Sequence, residues 1–307
     1  MKPAMHPADP QEQEQAVALA AAVPSGPSSG SSVAHAFRKY FKIFRVSLIE
    51  RTTYRGDFFL SSLLRFLPMV TTILLWEAIY AGAGKEGETT QLSGFTLQQM
   101  IAYLLLVHIS RMFSSMPGLA AGIARDIREG TLKKYLLQPI DMISYLVSYR
   151  AAHKAAYIMT SALPYALLFF LCRSYFDTFP DPLTAVAYVV SLILAFAIGF
   201  FFEACIGMVG FWFLEVTSLL YIVNGVAYFV SGQMFPLDLL PPFWAWLLKH
   251  MPFQYMAYFP AAIFVRKVEG SELVYGLIGE FVWAAIFMAL ARWLYLRGLR
   301  RYSAYGG

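Results

Sequence analysis

Apolar positions gather into six long stretches separated by short polar or basic segments. They run Phe58–Ala81, Leu97–Ala120, Ala151–Cys172, Leu183–Phe202, Phe211–Val230 and Leu273–Leu296. Each is about 20 residues, the length at which an α-helix crosses a hydrocarbon core of roughly 30 Å. Backbone groups in lipid must be satisfied within a helix or a closed barrel. Barrel strands alternate apolar and polar positions over short runs. Leu167–Leu171 and Val189–Phe202 are apolar on every side instead. The pattern predicts an all-α polytopic membrane protein with six transmembrane helices.

Three further segments are patterned but are not simple spans. In Val33–Arg51 the apolar residues Phe37, Tyr40, Phe41, Phe44 and Leu48 recur at helical spacing, with Arg38, Lys39, Lys42 and Arg45 on the other side. This predicts an N-terminal amphipathic helix in the membrane interface, its cations toward lipid phosphates. Such a helix either anchors the chain or also offers a face to a cytoplasmic partner. In Gly122–Tyr149, Gly130 suits a left-handed helix end, Thr131 suits a cap, and Pro139 suits a stop. Leu132, Leu136 and Leu137 are expected on one face beside Lys133 and Lys134. The segment is a docking knob or an ordinary solvated loop. The last, Ser231–Glu272, is interrupted by Pro236, Pro241, Pro242, Pro252 and Pro260, yet is rich in Leu and Trp. It is too broken to span and too apolar for water. An outer re-entrant or interfacial helical hairpin before the sixth span, buried against the other spans, meets both constraints.

Composition leaves no room for a separate catalytic domain: 58% of residues are hydrophobic and 14% charged. Basic residues crowd before the first stretch, between the second and third (Arg125, Arg128, Lys133, Lys134, Arg150, Lys154), and after the sixth (Arg297, Arg300, Arg301). Lys and Arg accumulate on the cytoplasmic side. Both termini are therefore expected in the cytoplasm, and the net charge of +5 follows from this bias, with no nucleic-acid partner implied. Residues 1–32, punctuated by Pro and ending in a Gly/Ser/Pro run, read as a disordered cytoplasmic tail ahead of one membrane domain, 33–307.

Candidate chemistry is sparse. Cys172 and Cys205 are expected near opposite faces, where they form neither a disulfide nor a metal site, and no metal-binding histidine pairing occurs. No phosphate-binding loop and no catalytic triad are present, so no catalytic residues are assigned and the chain is not itself an enzyme. Among ionisable residues in or near the spans (Arg65, Glu77, His108, Arg111, Glu203, Glu215, Glu280), His108 and Arg111 share one helical face deepest in span two. Structural pairing or a role in transport both suit them. Gly199, Gly207, Gly210 and Gly225 suit close helix packing.

Together these residues resemble the permeases of type-2 ABC exporters, and within them the bacterial ABC-2 family transporter proteins. The resemblance runs from about Phe37 to Gly306. It rests on Tyr54-Arg55, on Arg128–Leu132 with Leu136–Pro139, and on Phe211-Trp212. Ser231-Gly232, Pro236-Leu237, Pro241, Pro252-Phe253, Pro260 and the basic stretch Gly298–Tyr302 complete it. It implies a six-span permease in the bacterial cytoplasmic membrane that pairs with a second permease, as homodimer or heterodimer. Separate ABC ATPase subunits would bind ATP and Mg; this chain would bind no cofactor. Residues implied in coupling to the ATPase are Phe37, Phe41, Arg45, Arg128, Glu129, Gly130, Thr131, Leu132, Leu136 and Pro139. Residues implied in an outer gate are Pro236, Pro241, Trp244 and Pro252. A gradient-driven secondary transporter or channel, or a non-transporting assembly scaffold, are the rival classes. The substrate is not legible.

Overall fold

A computed structural model describes residues 29–53, 55–83, 91–176, 180–213 and 215–302; within the first two helices it describes the side chains of residues 37–49, 67 and 69–83. The described secondary structure is helical, apart from one isolated bridge between Leu92 and Phe95. The α-helices are α1 (Ser29–Thr53), α2 (Arg55–Ala83), α3 (Leu97–Ser114), α4 (Leu119–Arg128), α5 (Lys133–Leu136) and α6 (Met142–Leu171). They continue with α7 (Pro182–Met208), α8 (Thr217–Val230), α9 (Pro242–Lys249), α10 (Tyr258–Phe264) and α11 (Gly270–Leu299).

Local chemistry sets the main helix starts. Thr96 and Gln99 cap α3 reciprocally, each side chain accepting from the other's backbone N–H at 3.2 and 3.3 Å. Asp141 accepts the Ser144 N–H at 3.0 Å to open α6. Asp181 caps α7, and Pro182 takes the first turn, where its missing N–H costs nothing.

Among the described residues, four helical stretches are long and apolar enough to cross a membrane: Leu97–Arg128, Met142–Leu171, Pro182–Phe211 and Gly270–Leu299. The apolar windows of the first and third are 50% and 44% buried, against 22% and 11% for the other two. The centre of the domain is therefore α3–α4 against α7, with α6 and α11 carrying the apolar periphery. Two shorter apolar helices, Met69–Ala83 within α2 and Thr217–Val230, complete the set.

The contact between α3–α4 and α7 is close because α7 lacks side chains there. A Cβ on Gly199 would lie 1.8 Å from the Ser114 carbonyl oxygen, and one on Gly207 would lie 2.8 Å from that of Ala120. Gly210 faces Ala124 similarly, whereas Gly225 has nothing within 4 Å and serves no close packing.

Several expectations need correction. The second apolar stretch is not one straight helix: it breaks at Ser115–Gly118, with Gly118 at φ +74°. The fifth does not begin at Phe211, because a 3₁₀ turn at Val209–Phe211 intervenes and α8 starts at Thr217. With 14 residues, α8 is about 21 Å long at 1.5 Å per residue, short of a full crossing. Helix α1 begins at Ser29, inside the stretch expected to be tail; residues 1–28 lie outside the described residues.

Long-range polar contacts sort the connections into two ends. At one, Lys39 Nζ donates to the Pro139 carbonyl at 2.5 Å, and Arg128 faces Glu215 at 3.7 Å. At the other, Lys267 Nζ donates to the Gly94 carbonyl at 2.6 Å, and Arg266 faces Asp181 at 3.6 Å. The connections predicted to share a face thus lie together. The first is called here the basic end.

Candidate functional site

The knob at the basic end is built from α4 upward. Leu119, Ile123 and Ile127, spaced by four, are buried against α7. Gly130 then turns the chain at φ +72°, its N–H directed to the Ile127 carbonyl at 3.4 Å, while the Leu132 N–H reaches that of Asp126 at 3.0 Å. Thr131 does not cap α5. Its hydroxyl donates to the Asp126 carboxylate at 2.8 Å, and Lys134 pairs with the same carboxylate at 2.8 Å. Partial desolvation works to lower the Lys134 ammonium, but Asp126 and Tyr135 together outweigh it and the net shift is upward.

The three leucines expected on one face are divided. Leu132 is wholly buried, at the root of the knob, while Leu136 and Leu137 are 46% and 83% exposed. The physical reason is the length of α5: four residues make barely one turn, so no amphipathic face exists. Glu129 caps the end of α4, and Arg128, Glu129, Lys133 and Pro139 are exposed.

Helix α1 lies alongside α6 and borders this knob. Lys39 and Tyr40 face inward, the Tyr40 hydroxyl accepting the Asp141 N–H at 3.3 Å. Phe37 and Phe41 are 6.1 Å apart, stacked and exposed, and Arg45 is exposed too. Lys39 therefore leaves the cationic face predicted for it. Asp141 also pairs with Arg292 of α11. Desolvation works to raise the Asp141 carboxyl, yet the hydrogen bonds from Arg292 and Ser144 hold it below its usual value.

The break after α3 joins this end to the hairpin. Ser114 Oγ donates to the Met256 carbonyl at 2.7 Å and receives Arg111 Nη1 at 3.2 Å. Lys154 Nζ donates to the carbonyls of Met112 and Ser115 at 2.5 Å, and Arg150 Nη1 to that of Pro117 at 2.9 Å. Two cations from α6 thus satisfy the carbonyls a helix end leaves open. Sequence reading treated Arg150 and Lys154 as orientation signals only. The Pro117-Gly118 dipeptide was the available sign of the break. The His108 ring lies 5.9 Å from that of Tyr165, and Arg111 donates to Ser114 with Glu203 of α7 nearby.

The segment 231–267 folds as a 3₁₀ turn at Leu237–Leu239, α9, a second 3₁₀ turn at Pro252–Met256, and α10. Gly232, at φ +79°, passes so close to Tyr103 that its carbonyl accepts the phenol at 2.6 Å; a Cβ there would meet Tyr258 at 2.8 Å. Asp238 accepts from Tyr258 at 2.7 Å and Lys249 at 2.5 Å. Met256 reaches Ser114 at one end of α3, and Lys267 returns to Gly94 beyond the other.

Burial here is uneven. Tyr255, Met256, Tyr258, Phe259 and Ile263 are buried, and α10 packs chiefly on α3 and α7. Tyr255 and Phe259 press on α11 at Gly279 and Gly276, and the Trp283 indole of α11 donates to the His250 carbonyl at 3.3 Å. Helix α9 stays open: Trp244 and Trp246 are 53% and 60% exposed. Pro236 precedes the first turn, Pro241 opens α9, and Pro252 is buried at the start of the second turn.

No curated protein matches this chain. The family model for ABC-2 family transporter proteins matches residues 66–306, most of the chain and every described element from α3 to α11. That range takes in the knob, the broken span and the hairpin, and it implies association with an ABC ATPase subunit. This chain belongs to the ABC-2 family transporter proteins, as a multi-pass membrane permease component of an ABC transporter.

Proposed function

We propose that the chain forms the translocation path of an ATP-driven exporter in the bacterial cytoplasmic membrane, together with a second permease and separate ATPase subunits. The observation that carries this reading is the knob of α4 and α5: a buried root at Leu132 beneath an exposed tip at Leu136 and Leu137, beside the exposed Phe37 and Phe41 of α1. A rigid root with an apolar tip suits a lever docked in a cleft of a partner protein. The basic residues around it argue for the cytoplasmic side, where ATP and its Mg are held by the ATPase.

In this mechanism the ATPase dimer closes on ATP and displaces the knob, with Arg45, Arg128, Glu129, Gly130, Thr131 and Pro139 shaping or bordering it. Helix α4 is continuous with the Ser115–Gly118 break, and Ser114 holds the Met256 carbonyl. Motion of α4 therefore bears directly on the tip of the segment 231–267, which we read as a re-entrant outer gate bounded by Pro236, Pro241, Trp244 and Pro252. The system is a bistable element biased by nucleotide. Helix α8, with only Ala227 buried, leaves an apolar surface for the second permease.

The test is co-purification of a stoichiometric ATPase with the tagged chain, followed by hydrolysis measurements. Lys133→Glu and Leu137→Asp alter the exposed tip without touching the Asp126–Lys134 pair. Both are expected to reduce ATPase retention at unchanged membrane insertion. Transport by the purified chain without any ATPase would overturn the reading and favour a gradient-driven transporter.

A further inference from the structure

A concavity opens at the basic end, on walls that share a packed cluster with the root of the knob. It measures about 690 Å³ and is lined by Trp212, Trp293, Leu296, Arg297, Arg300 and Arg301. Its walls are the last turns of α11 and the chain just after the 3₁₀ turn at Val209–Phe211. Those walls are fixed to each other. Phe211 packs so tightly on Gly298 that a Cβ there would lie 2.2 Å from its ring, and Tyr302 meets Phe211 edge-on at 6.2 Å. The concavity is thus a feature of packed backbone, not an accident of long side chains.

The lining is graded along one helix face. Trp293, Leu296, Arg297 and Arg300 recur at intervals of three and four, so they share a face of α11. Seven residues separate Trp293 from Arg300, a drop of about 10 Å. Indole and leucine line the part deeper along the span, and guanidinium groups line the part toward its end. The Arg297 guanidinium stacks on Trp293 at 5.2 Å, and among the described residues no acidic one lines the cavity. None of the ion pairs among the described residues involves these three arginines.

We propose that this cavity binds the headgroup of an anionic phospholipid, with the phosphate between Arg297, Arg300 and Arg301 and the first acyl carbons against Trp293 and Leu296. Guanidinium groups match phosphate oxygens in a fixed fork, and indoles belong at the level where headgroup meets chain. Orientation of the sixth span needs only positive charge at its end; it does not require that charge to line one concavity with two indoles. A free inorganic anion would leave the apolar half of the cavity unused, and an acidic protein surface would not need it to reach toward the span. The proposal does not depend on the export mechanism above.

The test uses the full chain, delipidated in detergent and mixed with phosphatidylglycerol or phosphatidylcholine, with bound lipid counted by native mass spectrometry. Wild type is expected to favour phosphatidylglycerol about tenfold. The double variant Arg297→Gln/Arg300→Gln should lose that preference, while the charge-matched control Arg125→Gln/Lys133→Gln, two exposed cations at the same end with no lipid contact assigned to them, keeps it. Trp293→Leu, which leaves the charge intact, should weaken retention severalfold and guards against misfolding of the double variant. Equal loss in the control would reduce the effect to general electrostatics and overturn the site. Displacement of the lipid by millimolar inorganic phosphate or glycerol phosphate would make it a soluble-anion site. Unchanged lipid retention with lost ATPase co-purification in the double variant would make it a protein interface. Either result sinks the lipid assignment.

Discussion

Alanine at Gly199 places a methyl group where α7 meets the carbonyl end of α3. The new carbon would lie 1.8 Å from the Ser114 oxygen and 2.8 Å from its carbonyl carbon; the oxygen has to move out to at least 3.0 Å. Both surfaces are backbone, so no rotamer change relieves the clash, and the two central helices must part. Overpacking of this kind costs about 1–3 kcal/mol. Separation also pulls Ser114 from Met256, a buried hydrogen bond of 2.7 Å that contributes about 1 kcal/mol. A total near 3 kcal/mol lowers the melting temperature by about 5 °C for a chain of this size. Gly225→Ala is the matched control, because nothing lies within 4 Å of that position. Alanine there gains up to about 1 kcal/mol of helix propensity, so its melting temperature should hold or rise. The assay is fluorescence-detected melting of both purified variants in one detergent. Shifts of the same sign and size, or a Gly199→Ala protein melting at or above wild type, would refute the claim that α3 and α7 are held at backbone contact.

Four further outcomes are expected. Leu132→Ala empties the root of the knob and should destabilise it by about 2–4 kcal/mol, read as faster proteolysis within residues 119–139, whereas Leu137→Ala at the exposed tip should leave proteolysis unchanged. Asp141, held below its usual value by Arg292 and Ser144 against desolvation, adds stability that is full above about pH 4 and fades as pH falls through its lowered value; Asp141→Asn should flatten that acid limb of the melting curve. Glu280 is fully buried, with the Ser191 hydroxyl beside its carboxyl but no well-formed hydrogen bond between them, so Glu280→Met should match or exceed wild type in melting temperature, and a marked loss would show that the carboxyl has a partner in the assembled transporter. With Cys172 and Cys205 replaced, single cysteines at positions 131 and 300 should escape an impermeant reagent in intact cells while one at position 93 reacts; the reverse pattern ends the proposed orientation.

Helical class and the apolar stretches were legible because lipid leaves the backbone few options. Gly130 adopts the left-handed end expected of it; Asp141, Asp181 and Pro182 are local signals of the same kind that apolar stretches beginning at Ala151 and Leu183 pass over. The misplaced features have a common cause. Hydropathy averages over a window, and Met116-Pro-Gly118 is too short to lower the average across the second stretch. The same averaging joined Phe211-Trp212 to α8, although Phe211 belongs to a turn packed on Gly298. Spacing put Leu132, Leu136 and Leu137 on one face because it assumed a helix longer than the four residues that form.

The site was less legible because its key contacts are tertiary and mostly backbone-directed. Lys154 and Arg150 read as orientation signals, and that remains consistent with their place at the basic end. Their second task, donating to the carbonyls of Met112, Ser115 and Pro117, requires knowing that α3 stops at Ser114 and that α6 passes beside it. The Pro117-Gly118 dipeptide is a faint local sign of the first, and the second has no local signature. A broken helix inside a membrane domain leaves carbonyls that lipid cannot satisfy, and the nearest mobile donors are the cations already concentrated at that end by the orientation rule. Positive charge on one side thus does more than set topology: it lets a span be interrupted there. The interruption brings Ser114 to Met256, the contact through which a push on α4 meets the segment 231–267. The charge bias and the break are therefore two parts of one device, of which only the first is visible in a list of residues.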